Sequence, residues 1–338
     1  MSKKTLFYLV FSVVLLNSVV AKQKVSYPAW YTEAGLEETY PSSKFIRERG
    51  EGKTKQDAEN DAAAYISRYF KTEVNVSSVS KTSGVSSNGE TTLVQEIDIN
   101  NQITSNMELF GIKYSDSYYD KKAKTYYVVA YIDINDAWNR YEPEIRVTRN
   151  EFMAFYDSAF QEEEPVSRIK LLNDAIAAGQ GFEDKLSFAN ALSKKLTDKN
   201  FGGDIKTLSN ISSLIKKEQL ANPIYIDMSD DYSGQIEAAV RQIFTQKGFT
   251  VTATKDKAAY VAQVTVDYNN TPGSSRITLY PTIFLSLEGK NGSVYAYSGT
   301  SERVVAPNEN AAKRIASENL VKNINENLSS DIQSVLGL

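Results

Sequence analysis

The chain has 338 residues, 41% of them hydrophobic, with 38 Lys and Arg against 42 Asp and Glu for a formal charge of −4. That content suits a globular protein long enough for two domains, and the dispersed basic residues leave no electrostatic footprint for nucleic acid. Histidine and cysteine are both absent; this removes disulfides, a lipid-bearing cysteine, and the commonest general base and metal ligand.

Lys3 and Lys4 precede an apolar run from Leu6 to Val20, and Val19-Val20-Ala21 closes it. A basic start, a short apolar core and a small-residue exit predict a secretory signal over residues 1–21, cut after Ala21. The run is shorter than the ~20 residues of a membrane span, and no later segment reads as one.

The mature chain opens on Pro28-Ala29-Trp30-Tyr31, and an extended stretch from Lys44 to Arg49 runs into Gly50-Glu51-Gly52. Thr54 and Asp57 form a capping box for a helix with Ala58, Ala62, Tyr65, Ile66 and Tyr69 on one face. A strand is predicted over Glu73 to Val79, from the alternation of Val74 and Val76. A Ser/Gly/Asn-rich loop (Ser80 to Glu90) follows, then a long strand from Thr92 to Phe110 with Ile97 and Ile99 alternating. Gly111 to Tyr119 and Thr125 to Asp133 make a hairpin with a charged tip at Asp120-Lys121-Lys122-Ala123-Lys124.

From Asn135 the period is helical, with Pro143 predicted as a kink or break. Further helices are predicted over Arg168 to Ala178, Phe182 to Leu196 and Asp204 to Leu220, a small bundle or a tetratricopeptide-like pair without its consensus residues. Asn222-Pro223 marks a boundary. Beyond it the order is strand (Ile224 to Met228), helix (Ser233 to Lys247), strands at Phe249 to Ala253, Tyr260 to Tyr268, Ile277 to Leu287 and Ser293 to Glu302, and a terminal helix from Asn308. Ala262, Val264 and Val266 alternate with Gln263, Thr265 and Asp267, as in a sheet with one wet face. The fold class is α+β: an amino-terminal antiparallel sheet with an Ala-rich helix (22–136), a helical middle (137–221) and a carboxy-terminal α+β domain (222–338).

Residues 28–135 resemble the lipoprotein-twenty family and are similar to the amino-terminal domain of the flagellar assembly protein FlgT. The resemblance rests on Pro28-Ala29-Trp30-Tyr31, Gly50-Glu51-Gly52, Ala58, Ala62-Ala63-Ala64 and the strand Tyr126 to Asp133. It implies a strand that ends in a Gly-x-Gly turn and enters an Ala-rich helix packed across an antiparallel sheet. It implies no catalytic residues, and the lipid-bearing cysteine of the lipoprotein members is missing.

Gly50-Glu51-Gly52 lacks the third glycine of a dinucleotide loop and reads as a tight turn. Asp227, Asp230 and Asp231 stand where a strand leaves a sheet, a place for Ca²⁺ or Mg²⁺, but the spacing of a calcium loop is missing and helix capping is the simpler role. Glu162-Glu163-Glu164 reads as a solvated turn. The strand Tyr126 to Asp133 is apolar on both faces, so Tyr127, Val129 and Tyr131 are candidates for partner contact. The expectation is a non-catalytic periplasmic protein without cofactor or metal. It would act as an assembly or scaffold factor on envelope proteins, with a glycan-binding module as first alternative and a carboxylate-dependent hydrolase as second.

Overall fold

A computed structural model describes residues 28–79, 108–229, 231–270 and 276–337. The leader, its cut after Ala21, the loop Ser80–Glu90, the predicted strand from Thr92 to residue 107, and Asp230 lie outside the described residues. The chain divides into two compact units, Met1–Ile66 with Ile112–Ile132 and Ser67–Gly111 with Asp133–Leu338.

In the first unit, a short helix α1 (Glu33–Thr39) leads into strand β1 (Phe45–Gly52), and helix α2 (Lys55–Val79) begins after a tight turn. The capping box forms in both directions: Asp57 N–H donates to Thr54 Oγ1 at 3.1 Å, and Thr54 N–H donates to Asp57 Oδ2 at 3.2 Å. Gly50 is where strand and helix touch. A Cβ there would stand 2.2 Å from Ala58 O and 2.4 Å from Ala62 N, so only glycine, facing alanines, permits this approach. Strand β4 (Thr125–Asp133) lies between β1 on one side and β2 (Lys113–Tyr114) on the other, with β3 (Tyr118–Asp120) also pairing with β4. The pairings of β2 and β3 with β4 are antiparallel. The hairpin tip is as predicted, with Asp120 Oδ1 accepting from the N–H groups of Lys122 and Ala123 and Lys124 at φ 51°.

Helix α2 corrects the strand predicted at Glu73–Val79. Its buried stripe runs Ala58, Ala62, Ile66, Phe70, Val74, one residue every fourth position, so Val74 belongs to a helical period and its spacing from Val76 carries no strand signal. Tyr65 falls off the stripe and is exposed.

In the second unit, Asp133 Oδ1 accepts from Asn135 and Asp136 N–H to start helix α3 (Ile134–Gln161). Pro143 lies inside α3 without ending it. Buried Trp138, Tyr141, Ile145 and Phe152 on both sides of the proline hold the helix together against a cost of ~3 kcal/mol.

The helical stretch α4 (Pro165–Ala221) is interrupted only at Ser193, whose φ of −165° and ψ of 99° are extended. The chain folds back there: Arg168 pairs with Glu218 at 3.1 Å, and Gly179 lies against Leu208. The middle is therefore a helical hairpin on α3, with two long limbs in place of three shorter helices. In its core Phe152 stacks on Phe182, which meets Phe201 edge-on.

The carboxy-terminal sheet follows the predicted order with one addition. Its strands are β5 (Ile224–Ser229), β6 (Val251–Thr252), β7 (Tyr260–Asn270), β8 (Ile277–Gly289), β9 (Gly292–Thr300) and the added β10 (Val304–Ala306). β5 is parallel to β6 and β7, while the remaining pairings are antiparallel. Helices α5 (Gln235–Gln246), α6 (Glu309–Asn323) and α7 (Ser329–Leu336) supply the other layer, α6 and α7 being joined by a π turn at Ile324–Leu328.

Asn222-Pro223 does not separate two cores. Val166, Ile169, Leu172, Ile211 and Ile215 from the hairpin are buried in the same cluster as Ile224, Val240, Val264, Ile283 and Leu285. The boundary expected from the sequence is a change of secondary structure within one hydrophobic core.

Candidate functional site

The tyrosine face proposed from the sequence is packed within the chain. Tyr127 and Val129 are buried with Tyr31 and Leu36, and Trp30, Tyr40 and Tyr118 close the cluster. The Tyr31 and Tyr127 rings meet edge-on at 5.1 Å, and Tyr31 OH donates to Gly50 O at 3.2 Å. Tyr131 is half-buried between Tyr40, at 4.5 Å, and Phe45, at 5.7 Å. The cover expected from a partner or from the middle helices is supplied instead by the chain's opening segment. That is the task of Trp30, Tyr31, Leu36 and Tyr40.

Asp227 and Asp231 point to different partners. Asp227 Oδ2 accepts from Lys255 Nζ at 2.8 Å on the surface, a bond that raises the lysine's pKa. Asp231 accepts from Ser233 N–H at 3.3 Å and from Glu237 N–H at 3.0 Å, capping α5 where Gly234 has no side chain to do so. Among the described residues no group of three or more Asp or Glu is placed to hold a metal ion. Replacing Asp227, Asp230 and Asp231 together by Asn is expected to lower stability by about 1 kcal/mol or less through the weakened cap. Calcium should leave the melting temperature of the unaltered chain unchanged. A calcium-dependent rise that the triple variant abolishes would establish a metal site.

Asp231 also borders a cleft of about 540 Å³ near the carboxyl ends of β5 and β7, lined by Tyr232, Tyr268, Asn270, Glu309 and Lys313. Its charges are mutually engaged. Lys313 bonds Glu309 at 2.8 Å, holding that carboxyl below its usual range, and Lys313 Nζ lies 5.7 Å from the Tyr268 ring centroid.

Glu164, read from the sequence as part of a solvated turn, does more. It caps α4 by accepting from Ser167 N–H at 2.7 Å and accepts from the hydroxyl of Tyr260, which in turn accepts from Val166 N–H. Burial and the Glu164 carboxylate push the Tyr260 pKa up, so this tyrosine is a structural tie. Tyr295, buried and bonded to Asp331 at 2.6 Å, is held in the same way.

The surface that sequence reasoning missed is the outer face of the carboxy-terminal sheet. Tyr280 and Phe284 of β8 stand 47% and 48% exposed. Phe284 lies opposite Thr265 and Ser298, Thr282 opposite Asp267 and Thr300, and Tyr280 opposite Asn269. Two rings thus stand on one strand face among hydroxyl, amide and carboxylate side chains. The alternation Tyr280, Thr282, Phe284, Ser286 was the available signal, since a wet face has no structural need of large rings.

No described helix is long and apolar enough to cross a membrane. No family model matches the sequence, and no curated protein matches it. Among solved structures, the chain is similar to the secreted protein HP1454 of Helicobacter pylori at 13% identity, covering 86% of this chain and 98% of that one with a TM-score of 0.35. It is similar to a putative lipoprotein of Caulobacter crescentus at 14% identity, over 34% of this chain and 90% of that one, with a TM-score of 0.24. A minor lipoprotein of Acinetobacter baumannii aligns at 14% identity over 35% and 92% of the two chains, with a TM-score of 0.24.

Proposed function

We propose that this is an exported, non-catalytic periplasmic protein that serves as an assembly or scaffold factor for other envelope proteins, in a flagellar or outer-membrane machine. The observation that carries the reading is the exposed pair Tyr280 and Phe284 on the outer face of the sheet, with polar side chains directly opposite them. Aromatic rings are the residues that dominate interface energies once a partner excludes water from them. The predicted leader supports export, and the lack of histidine and cysteine supports a role without chemistry.

The same face suits a second reading, envelope polysaccharide, because rings flanked by hydroxyl and amide groups also fit a sugar chain. A Tyr280→Ser, Phe284→Ser double variant separates these. It is expected to melt within about 0.5 kcal/mol of the unaltered chain and to lose its crosslinked protein partner in envelope fractions. Sedimentation with purified glycan that depends on both rings would favour the polysaccharide reading. A folded variant that keeps its partner at full yield would overturn the face as the contact.

A further inference from the structure

On the helix-covered face of the carboxy-terminal sheet, β7 outruns its cover. Val264, Val266, Tyr268 and Asn270 share one face of that strand. The two valines are buried, Tyr268 is half-buried and Asn270 is exposed. The cleft of about 540 Å³ opens where the cover stops, and its size is that of a small-ligand site. It lies at the carboxyl end of β7, beside the residues from Asp231 onward that lead from parallel β5 into α5. That is where open sheets with parallel strands take ligands. Buried Leu279 of β8 lines the cleft. Its neighbour Tyr280 stands exposed on the opposite face, so the cleft is separate from the Tyr280–Phe284 surface.

The charges of the cleft restrict what it can hold. Asp231 accepts from Glu237 N–H at the start of α5, and Glu309 stands in the first turn of α6. The positive ends of both helices are thus answered by the chain's own carboxylates, and Lys313 in turn answers Glu309. An anion would meet two carboxylates. A cation would compete with Lys313 for Glu309 and with the α5 N–H groups for Asp231. What the cleft offers beyond these pairs is aromatic surface and hydrogen bonding. Tyr268 OH and Ser317 Oγ lie 3.4 Å apart and Lys313 Nζ stands 5.7 Å from the Tyr268 ring centroid, so this ring is fixed. Tyr232 is 43% exposed at the rim. Asn270 brings an amide that both donates and accepts, and the Asp231 carboxylate keeps lone pairs beyond its two N–H bonds. A tyrosine ring matches the apolar C–H face of a sugar, while amide and carboxylate groups match its hydroxyls. We infer that this cleft binds a small neutral saccharide, stacked on Tyr232 and hydrogen-bonded by Asn270 and Asp231. The inference does not rest on the contact face proposed above.

Titration calorimetry of the purified chain with neutral mono- and disaccharides of glucose, galactose, mannose and N-acetylglucosamine tests this. Saturable binding of at least one is expected, with a dissociation constant of about 1 mM or tighter. The amino-sugar and uronic acid counterparts of that sugar should bind about tenfold more weakly, since each carries a charge that the cleft leaves unanswered. Tyr232→Ala should weaken binding about tenfold without moving the melting temperature, because the ring is exposed. Lys313→Gln frees the Glu309 carboxylate and should turn the preference toward the amino sugar, a change that a merely structural lysine would not produce. The Tyr280→Ser, Phe284→Ser variant should bind sugar as the unaltered chain does. No binding by any sugar of the panel overturns the inference, as does a uronic acid bound more tightly than its neutral parent. Binding indifferent to Tyr232→Ala, or lost with Tyr280 and Phe284, overturns the site. Should Tyr232→Ala fail to fold, Asn270→Ala decides: undiminished binding overturns the site.

Discussion

Gly50→Val is expected to unfold the amino-terminal unit. Even the first atom of a side chain at this position would overlap Ala58 O at 2.2 Å, Ala62 N at 2.4 Å and Ala62 Cβ at 2.7 Å. Two of these three are main-chain atoms, so no rotamer change relieves them, and the helix and strand must separate. We expect a loss of about 3 kcal/mol or more, read as a lower unfolding midpoint in denaturant and as lost amide protection in β1 and β4. Gly202→Ala is the control. That helical glycine has nothing within 4 Å of its missing Cβ, so alanine should stabilise by up to about 1 kcal/mol. A Gly50→Val chain with unaltered stability would mean that strand and helix are not in contact.

Residues 222–338 expressed alone are expected not to unfold cooperatively. The hairpin covers this region with Val166, Ile169, Leu172, Ile211 and Ile215. Uncovering that many aliphatic contacts costs on the order of 10 kcal/mol, the size of a domain's whole stability. The isolated piece would also lose Glu164 from Tyr260, Lys170 from the Val335 carbonyl and Asn173 from the Gly337 carbonyl. We expect it to bind a hydrophobic dye and to show a broad thermal transition, whereas residues 133–338 should unfold sharply. A sharp transition and no dye binding for 222–338 would place a true domain boundary at Pro223.

The elements legible in the sequence were those with a local cause. Thr54 and Asp57 announce the start of α2 because both halves of the box lie within one turn. The alternation in Tyr260–Asn270 is plain because one face of that strand is wet. Val74 and Val76 misled because two residues cannot distinguish a period of two from the end of a stripe with a period near four. Nothing near Ser193 marks a reversal; it is set by the long-range fit of Gly179 against Leu208 and of Arg168 against Glu218. The candidate surface failed for the same reason. Tyr127 and Val129 are apolar on the face opposite Val128 and Ala130, but their cover comes from Trp30 to Tyr40, almost a hundred residues upstream, and no local pattern names so distant a partner.

The first unit is sewn from two separated pieces of chain, Met1–Ile66 and Ile112–Ile132, and this fixes an order of events. A polypeptide emerging from its amino terminus presents β1 well before β4, the strand that joins β1 to β2 in the sheet. Until residue 133 is free, Phe45 and the tyrosines of the opening segment have no β4 to close on, while α2 can form at once from its own cap. The helical hairpin has no such delay, since its two limbs follow one another directly in sequence. Whatever conducts the nascent chain must therefore shield an unpaired strand and its aromatic residues until β4 arrives, and premature release would expose β1 to pairing with neighbouring chains.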